Sequence, residues 1–232
     1  YIIGFIYFYY FSKINSSYFQ LNKKKLDDLF FYLFLATIIG GRLGYCLFYN
    51  LDFYIKEPLD ILKVWQGGMS FHGALIGVVL ISILFSKKNS IPLFLLSDLI
   101  SICAPVGIFF GRIANFINKE LIGRQTDFFI SIKYSGEEIS RHLSQIYEAT
   151  FEGLMPAIIL LILFLRKKSK NGIITSIFLI NYALSRFIIE FIRQPDQQIG
   201  LKFEIFSQGQ LLTIPIMILG LVILYKCQSR KK

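Results

Sequence analysis

The chain has 232 residues, of which 54% are hydrophobic and 16% are aromatic, and its mean hydropathy is +0.56. This composition is too apolar for an ordinary soluble domain. The net charge of +10 would suit a protein that binds nucleic acid. The lysines and arginines, however, fall in short clusters between long apolar segments, so we predict no nucleic-acid partner.

Apolar segments of helix length recur along the whole chain. Several approach the roughly 20 residues that a helix needs to cross the hydrocarbon layer of a membrane. A helix is the expected conformation, because lipid offers no partner to unpaired backbone groups. The predicted spans are residues 1–11, 29–49, 69–85, 93–117, 146–165, 173–191 and 210–225. The sequence therefore predicts an all-α integral membrane protein of about seven transmembrane helices, with residues 1–232 forming a single polytopic domain.

The first predicted span is shorter than the others and covers about half of a crossing. We therefore expect that an upstream part of the same helix precedes Tyr1, so that the first helix is truncated in this sequence. The opening residues do not form a signal peptide, since they have neither a charged start nor a small-residue cleavage site.

The connections between the spans differ in their content of lysine and arginine. Connections rich in these residues remain in the cytoplasm. We therefore predict an N-terminus outside and a C-terminus in the cytoplasm, with the basic ends against anionic membrane lipids. The basic connections lie at residues 13–25, 87–88, 166–170 and 226–232.

The longest polar break lies between Ile117 and Gln145. Residues 129–134 alternate between apolar and polar types and are followed by Ser135 and Gly136, a pattern that predicts a strand or hairpin. We expect a small extramembrane cap, periplasmic or extracellular, over about residues 118–145. The other long outer connection, residues 50–65, is predicted to contain a short interfacial helix.

Ionisable residues within or at the ends of the apolar segments are the most informative feature of the chain. Such groups cost a few kcal/mol or more at a bilayer centre, so they normally face a protein interior or a wet cavity and mark function. The arginines indicate an anionic ligand held at membrane depth, and the acids either carry chemistry or neutralise the arginines. These residues are Arg42, Arg112, Glu148, Arg186, Glu190 and Arg193.

His72 lies near the start of a predicted helix and is surrounded by glycines, including Gly68 and Gly73. Glycine permits close approach of a neighbouring helix or of a ligand. The imidazole could accept a proton or donate a hydrogen bond to a phosphate, because its ordinary pKa lies near neutrality. Alternatively, His72 ties the helix start to a neighbour.

Arg112 and Asn115 are three residues apart and share one helix face. A guanidinium beside an amide suits a phosphodiester, since its planar fork can hold two oxygens. Glu120 and Gly123 follow where this helix meets the outer loop. The alternative is an Arg–Glu pair that braces the helix end.

Tyr182, Arg186, Glu190 and Arg193 occur at helical spacing and are predicted to form one stripe, with the helix ending at Pro195. This stripe either binds a ligand or forms an internal ladder of ion pairs, and the two are compatible. Ser144 is predicted to cap the next apolar segment upstream, with Glu148 favoured in its first turn by the helix dipole. The cysteines show no metal-ligand spacing and are predicted to serve packing.

Six segments, taken together, resemble the bacterial prolipoprotein diacylglyceryl transferase family. They occur in family order and are spread over nearly the whole chain. They are GGRLGYCLFYN (40–50), WQGGMSFHGALIGV (65–78), GRIANFINKELIGR (111–124), RHLSQIYEATFEG (141–153), YALSRFIIEFIRQPDQQ (182–198) and SQGQLLTIP (207–215).

The resemblance implies an enzyme of the bacterial plasma (inner) membrane, with seven helices and neither metal nor cofactor. It implies that a diacylglyceryl group moves from phosphatidylglycerol to the thiol of the lipobox cysteine of a preprolipoprotein, the first step of lipoprotein maturation. The family also has a functional tyrosine in the first helix, upstream of the segment that begins at Tyr1. The outer cap here is shorter than in longer family members.

The resemblance assigns functional motif positions to a set of residues in this chain. Arg112 and Arg186 are the candidates for stabilising the leaving phosphate, while His72 and Glu190 are both candidates for accepting the thiol proton. The candidate contacts to phosphatidylglycerol are Arg112, Asn115, Glu120, Gly123, Tyr182 and Arg193. A lipid transporter is the main alternative, and a seven-helix receptor is a third. The family positions are His72, Arg112, Asn115, Glu120, Gly123, Arg186 and Glu190.

Overall fold

A computed structural model describes residues 2–166, 169–194, 201–202 and 206–229. Most of these residues are helical. The α-helices are α1 (Ile2–Ile14), α2 (Lys23–Phe48), α3 (Leu51–Lys56), α4 (Phe71–Asn89), α5 (Leu93–Ile117), α6 (Ser144–Glu148), α7 (Met155–Leu165), α8 (Ile173–Ile189) and α9 (Gln208–Ser229). The strands form two antiparallel hairpins, β1 (Ser131–Lys133) with β2 (Ser140–His142) and β3 (Leu201–Lys202) with β4 (Phe206–Ser207).

Every predicted span corresponds to helical structure, so the prediction of a helical membrane protein is confirmed. Four helical segments in the described part of the chain are long and apolar enough to cross a membrane. They are Lys23–Phe48, Leu93–Ile117, Ser144–Leu165 and Gly209–Ser229. Helices Ile2–Ile14 and Ile173–Ile189 are apolar but shorter. Seven crossings of the membrane therefore remain a prediction.

The chain forms two compact units, and the smaller one comprises Tyr9–Leu96. Its core is the packing of α2 against α4, where the helices approach closely at glycines. A Cβ atom built on Gly44 would lie 2.6 Å from the Cα of Gly73, and one built on Gly73 would collide with the carbonyl oxygen of Gly40. Small residues at such a crossing let two backbones touch, which is how helices associate in lipid.

The other unit comprises Tyr1–Phe8 and Ser97–Lys232. Within it, Asp98 of α5 fixes the start of α8. One carboxylate oxygen accepts hydrogen bonds from the Thr175 nitrogen at 2.8 Å and hydroxyl at 2.6 Å, and the other accepts one from the Gly172 nitrogen at 2.7 Å. These bonds satisfy donors that a helix start leaves unpaired. The buried carboxylate thus sets the position of α8 along α5.

The predicted hairpin within residues 118–145 is confirmed, with Ser131 opposite His142 and Lys133 opposite Ser140. The predicted short helix after Asn50 is also confirmed as α3, followed by two 3-10 helices, Pro58–Leu62 and Val64–Gln66. The prediction that Ser144 caps its helix is wrong. Leu143 precedes α6 without a side-chain cap, because the Ser144 hydroxyl donates instead to the Leu121 carbonyl at 3.0 Å.

The prediction that α8 continues to Pro195 is also wrong, although Pro195 itself lies outside the described residues. Helix α8 ends at Ile189, because the following backbone pairs with the segment around Gly123. The Arg124 nitrogen donates to the Ile192 carbonyl at 2.8 Å, and the Gln194 nitrogen donates to the Ile122 carbonyl at 3.1 Å. Arg193 therefore lies on a β-bridge rather than on the helix.

Candidate functional site

Three arginines and three glutamates come together inside the unit formed by Tyr1–Phe8 and Ser97–Lys232. They originate from α5, from α6 and the turn that follows it, and from α8 and the residues after it. We call this group the arginine–glutamate cluster. Its members are Arg112, Glu148, Glu152, Arg186, Glu190 and Arg193.

Glu148 is the centre of the cluster, since it lies within ion-pair distance of all three arginines. Its Oε1 is 2.6 Å from Nη1 of Arg186 and 3.4 Å from Nη1 of Arg193. Its Oε2 is 3.1 Å from Nε of Arg112. The Glu148 side chain is fully buried. A buried carboxylate normally requires such partners, because its transfer from water is costly.

Glu152 and Glu190 complete the pairing. Glu152 is fully buried, with Oε2 at 3.2 Å from Nη2 of Arg112 and Oε1 at 3.7 Å from Nη1 of Arg186. Glu190 Oε2 lies 2.9 Å from Nη2 of Arg186 one turn away on α8. With all six groups ionised, the three positive and three negative charges cancel. The predicted ladder of internal ion pairs is therefore confirmed.

The two kinds of charge differ in exposure. Glu148 and Glu152 expose none of their side-chain surface, whereas Arg112 exposes 18% and Arg186 exposes 12%. Arg112 and Arg186 are thus the solvent-accessible partners of Glu148 and Glu152 in these ion pairs, and we call these two arginines the guanidinium edge of the cluster. A planar guanidinium can hold two oxygens of a phosphate or carboxylate.

A widened helical turn carries Glu152 and directly follows Glu148, the last residue of α6. Between α6 and α7, residues Ala149–Leu154 form a π-helix. The cause is Pro156, which has no N–H for the Glu152 carbonyl and whose ring would crowd that carbonyl. The Ser185 hydroxyl of α8 donates to the carbonyl of Phe151 in this turn at 3.2 Å. The turn is thereby tied to the helix that carries Arg186.

Glu190 has a second close neighbour at the start of α9. A Cβ atom built on Gly209 would lie 2.8 Å from Oε1 of Glu190, so only glycine leaves room for the carboxylate in its present position. Ser207 and Gln210 form a reciprocal capping box here, with the Gln210 nitrogen donating to the Ser207 hydroxyl at 3.1 Å and the Ser207 nitrogen to Gln210 Oε1 at 3.0 Å. The first turn of a helix favours a nearby negative charge.

Asn115 and Glu120, both predicted to contact lipid, pair with each other. Asn115 Nδ2 donates to Glu120 Oε2 at 2.8 Å at an exposed edge. The backbone around Glu120 is unusual, with positive φ of 57° at Lys119 and 53° at Leu121. Gln145 stabilises it by donating to the Glu120 carbonyl at 2.7 Å. Such conformations persist only where surrounding contacts hold them.

Gly123 and Tyr182 have clear structural settings. A Cβ atom on Gly123 would collide with the His142 carbonyl oxygen, so the glycine is required for the backbone packing between the hairpin and the bridge to Arg193. Tyr182 is buried on α8, one turn before Arg186. Arg193 pairs with Glu148 from the bridge, so it is not part of the predicted helical stripe.

His72 and Arg42 belong to the unit Tyr9–Leu96. His72 is half-buried in the first turn of α4, and the N-cap residue Ser70 accepts a hydrogen bond from the Gly73 nitrogen at 3.2 Å. Arg42 was expected to mark an anion site. Instead its guanidinium donates to main-chain carbonyls of its own unit.

From the sequence we predicted that Glu148 either carries chemistry, neutralises the arginines or is favoured by the helix dipole, and we gave Glu152 no role. The structure places both at the centre of the cluster. The signal that could have identified them is the i, i+4 spacing of two acids on an apolar segment, in a chain whose other apolar segments carry arginines. Across the described residues, no group of three or more His, Cys, Asp or Glu side chains could hold a metal ion.

The fold and the site define a helical membrane protein with a largely buried arginine–glutamate cluster, in which Arg112 and Arg186 are partly exposed and Glu148 and Glu152 are fully buried. The family model for prolipoprotein diacylglyceryl transferase matches residues 1–226. The chain therefore belongs to the prolipoprotein diacylglyceryl transferase family, a family of transferases, as the sequence motifs predicted.

Relatives of known name support the same family. A phosphatidylglycerol–prolipoprotein diacylglyceryl transferase of Ehrlichia canis (strain Jake) is 47% identical over 225 residues, which cover 95% of this chain and 86% of that protein. The protein of the same name from Rickettsia bellii (strain OSU 85-389) is 41% identical, with 99% and 89% covered. That from Aeromonas hydrophila subsp. hydrophila is 44% identical, with 90% and 76% covered.

Proposed function

We propose that this protein transfers the diacylglyceryl group of phosphatidylglycerol to the thiol of the lipobox cysteine of a preprolipoprotein. One C–S bond forms and the C–O bond to phosphate breaks. The thiol proton passes to a base, and glycerol phosphate leaves. Family membership supports the reaction, and the names of the relatives support this lipid and this protein substrate. The structural observation that carries the proposal is the guanidinium edge of the cluster.

Arg112 and Arg186 stabilise the departing phosphate in this proposal. The leaving group gains negative charge as the C–O bond breaks, and fixed cations near its oxygens lower the barrier. The fully buried Glu148 and Glu152 hold the two guanidinium groups, so the arginines are oriented before the lipid arrives. Asn115, Glu120, Gly123, Tyr182 and Arg193 are proposed to shape the lipid site around them.

His72 is our proposed base for the thiol proton. A thiol attacks as the thiolate, so a proton acceptor is required. Glu190 is the other candidate, but its carboxylate is already paired with Arg186 at 2.9 Å and packed against Gly209. We therefore propose that Glu190 orients Arg186.

We further propose that the chain crosses the bacterial plasma membrane seven times, with the N-terminus outside, the C-terminus in the cytoplasm, and residues 118–145 as the outer cap. The clusters of lysine and arginine support this orientation. The reaction requires no metal and no cofactor in this proposal, since the electrophile is the lipid itself.

The test is an assay of the purified protein with phosphatidylglycerol and a peptide that contains a lipobox cysteine. We expect a gain in peptide mass equal to one diacylglyceryl group, and no gain when the cysteine is replaced by serine. A protein that only moves lipid between leaflets would form no thioether, and that result would contradict the proposal.

A further inference from the structure

We infer that Arg42 is a positioning residue for His72, acting through the loop that leads into α4. The inference rests on the proposed role of His72. It concerns the unit Tyr9–Leu96 alone and is carried by the contacts of one buried guanidinium.

Arg42 projects from α2 and is only 4% exposed. Every nitrogen of its guanidinium donates to main-chain carbonyls of the loop before α4. Nε donates to Ile61 at 2.9 Å, and Nη2 donates to Asp60 at 2.7 Å and Lys63 at 3.2 Å. Nη1 donates to Gly67 at 2.5 Å and Gly68 at 3.2 Å.

Arg42 therefore holds the backbone of the loop in place and does not form an anion site. Carbonyls at both ends of the loop converge on one planar group, which presents five donors in a fixed geometry. The Tyr54 ring covers the guanidinium at 5.2 Å from its centroid, which adds a favourable interaction with the cation. Lysine has only three donors on one nitrogen and cannot reproduce these contacts.

The last two carbonyls connect Arg42 to His72. Gly67 and Gly68 have positive φ of 83° and 74°, a conformation that side chains rarely adopt. Two residues later the Ser70 nitrogen donates to the Gly41 carbonyl at 2.8 Å, and Ser70 then caps α4. Arg42 and the adjacent Gly41 therefore fix the chain just before the helical turn that carries His72.

A displacement of His72 by about 1 Å is enough to slow a proton transfer that depends on alignment, at a cost of about 10² in rate. We therefore expect the Arg42→Lys variant to fold and to bind phosphatidylglycerol with a KM close to that of the wild type. Its kcat should fall about 10²-fold. The matched control is Lys63→Ala, which removes an exposed ion pair with Asp60 from the same loop but leaves the Lys63 carbonyl in place.

The decisive measurement is nuclear magnetic resonance of histidine-labelled protein in detergent. The chain has two histidines, so a His142→Asn variant identifies the His72 signal. In Arg42→Lys we expect the His72 imidazole signal to shift or split and its titration to change, while Lys63→Ala retains the wild-type signal. An unchanged His72 signal and titration in Arg42→Lys would overturn the inference, as would a loss of rate that follows thermal stability alone.

The His72→Gln variant separates this inference from the proposed function. If His72→Gln transfers lipid at the wild-type rate, the proposed base is wrong. The effect of Arg42→Lys on the His72 signal then still tests whether Arg42 positions His72. If His72→Gln is slow and Arg42→Lys leaves the His72 signal unchanged, the proposed function stands and the positioning role fails.

Discussion

Glu148 accepts a hydrogen bond from Arg186 at 2.6 Å across 38 residues of the chain, and the same carboxylate lies 3.1 Å from Arg112. One fully buried acid therefore connects α5, α6 and α8. Breaking such a pair by removing one partner is costly, because the remaining charges stay buried without compensation.

Glu148→Gln should accordingly reduce the free energy of unfolding by about 3–5 kcal/mol. Unfolding in detergent, followed by circular dichroism, measures this loss. The control is Glu137→Gln, because Glu137 pairs with Arg141 but is 33% exposed, and exposed pairs contribute about 1 kcal/mol or less. Equal losses in the two variants would contradict the central position of Glu148.

Arg112 offers a way to separate activity from stability. Arg112→Gln should slow transfer about 10²–10³-fold and also destabilise the protein, because Glu152 loses its closer cation. The double variant Arg112→Gln/Glu152→Gln should regain much of the stability, since the unpaired charge is gone, but none of the rate. Transfer and thermal unfolding of both variants provide the test. Recovery of the rate in the double variant would show that Arg112 has no role towards the phosphate.

The rate at raised pH distinguishes the two candidate bases. His72→Gln should slow transfer about 10²–10⁴-fold near neutral pH and recover part of the rate as pH rises, because more of the substrate thiol is then ionised. Glu190→Gln should show no such recovery, since its proposed role is to orient Arg186. Thioether formation is measured against pH for both variants and the wild type. If raised pH restored the rate of Glu190→Gln but not that of His72→Gln, Glu190 would be the base and His72 would not.

The close packing of α2 against α4 predicts a sharp difference between two glycines. Gly73→Ala places a methyl group against the Gly40 carbonyl and should cost about 1–3 kcal/mol in the free energy of unfolding. Gly107→Ala on α5 meets nothing within 4 Å and should change that free energy by less than about 1 kcal/mol. Thermal unfolding of the two variants tests this difference. Similar unfolding midpoints would show that α2 and α4 can move apart at Gly73 without a loss of stability.

The proposed orientation in the membrane can be tested with inserted tags. Tags after Lys88, after Lys168 and at the C-terminus should be labelled only from the cytoplasm, and tags within residues 126–138 only from outside. Lys168 and the C-terminus lie outside the described residues, so these sites rest on the charge pattern alone. Labelling of Lys168 from outside would contradict seven crossings.

The sequence was sufficient to predict where helices lie, because apolar length and polar breaks are local properties. Helix α5 was predicted with both ends correct, and the hairpin was visible in the alternation of residues 129–134. The end of α8 could not be predicted, since it depends on backbone pairing with residues near Gly123, about 70 positions earlier. The π-helix likewise reflects a response to Pro156 that periodicity does not reveal.

The candidate site was predicted in its residue types but not in its pairing. Arg112, Arg186 and Glu190 were identified because charges on apolar segments are rare and costly. The central position of Glu148 was missed, because which arginine meets which acid is set by the packing of α5, α6 and α8. Arg42 shows the converse error, since a buried arginine can be satisfied by carbonyls alone.

The neutrality of the arginine–glutamate cluster has a consequence for how the protein is made. Arg112 on α5 precedes the segment carrying Glu148 and Glu152 along the chain, and Arg186 and Arg193 lie further towards the C-terminus. Arg112 and Glu148 have their ion-pair partners on other segments, whereas Arg186 has one partner, Glu190, on its own segment. Neutralisation is complete only when α5, α6 and α8 have met, so assembly of the cluster and burial of these helices are a single event during biogenesis.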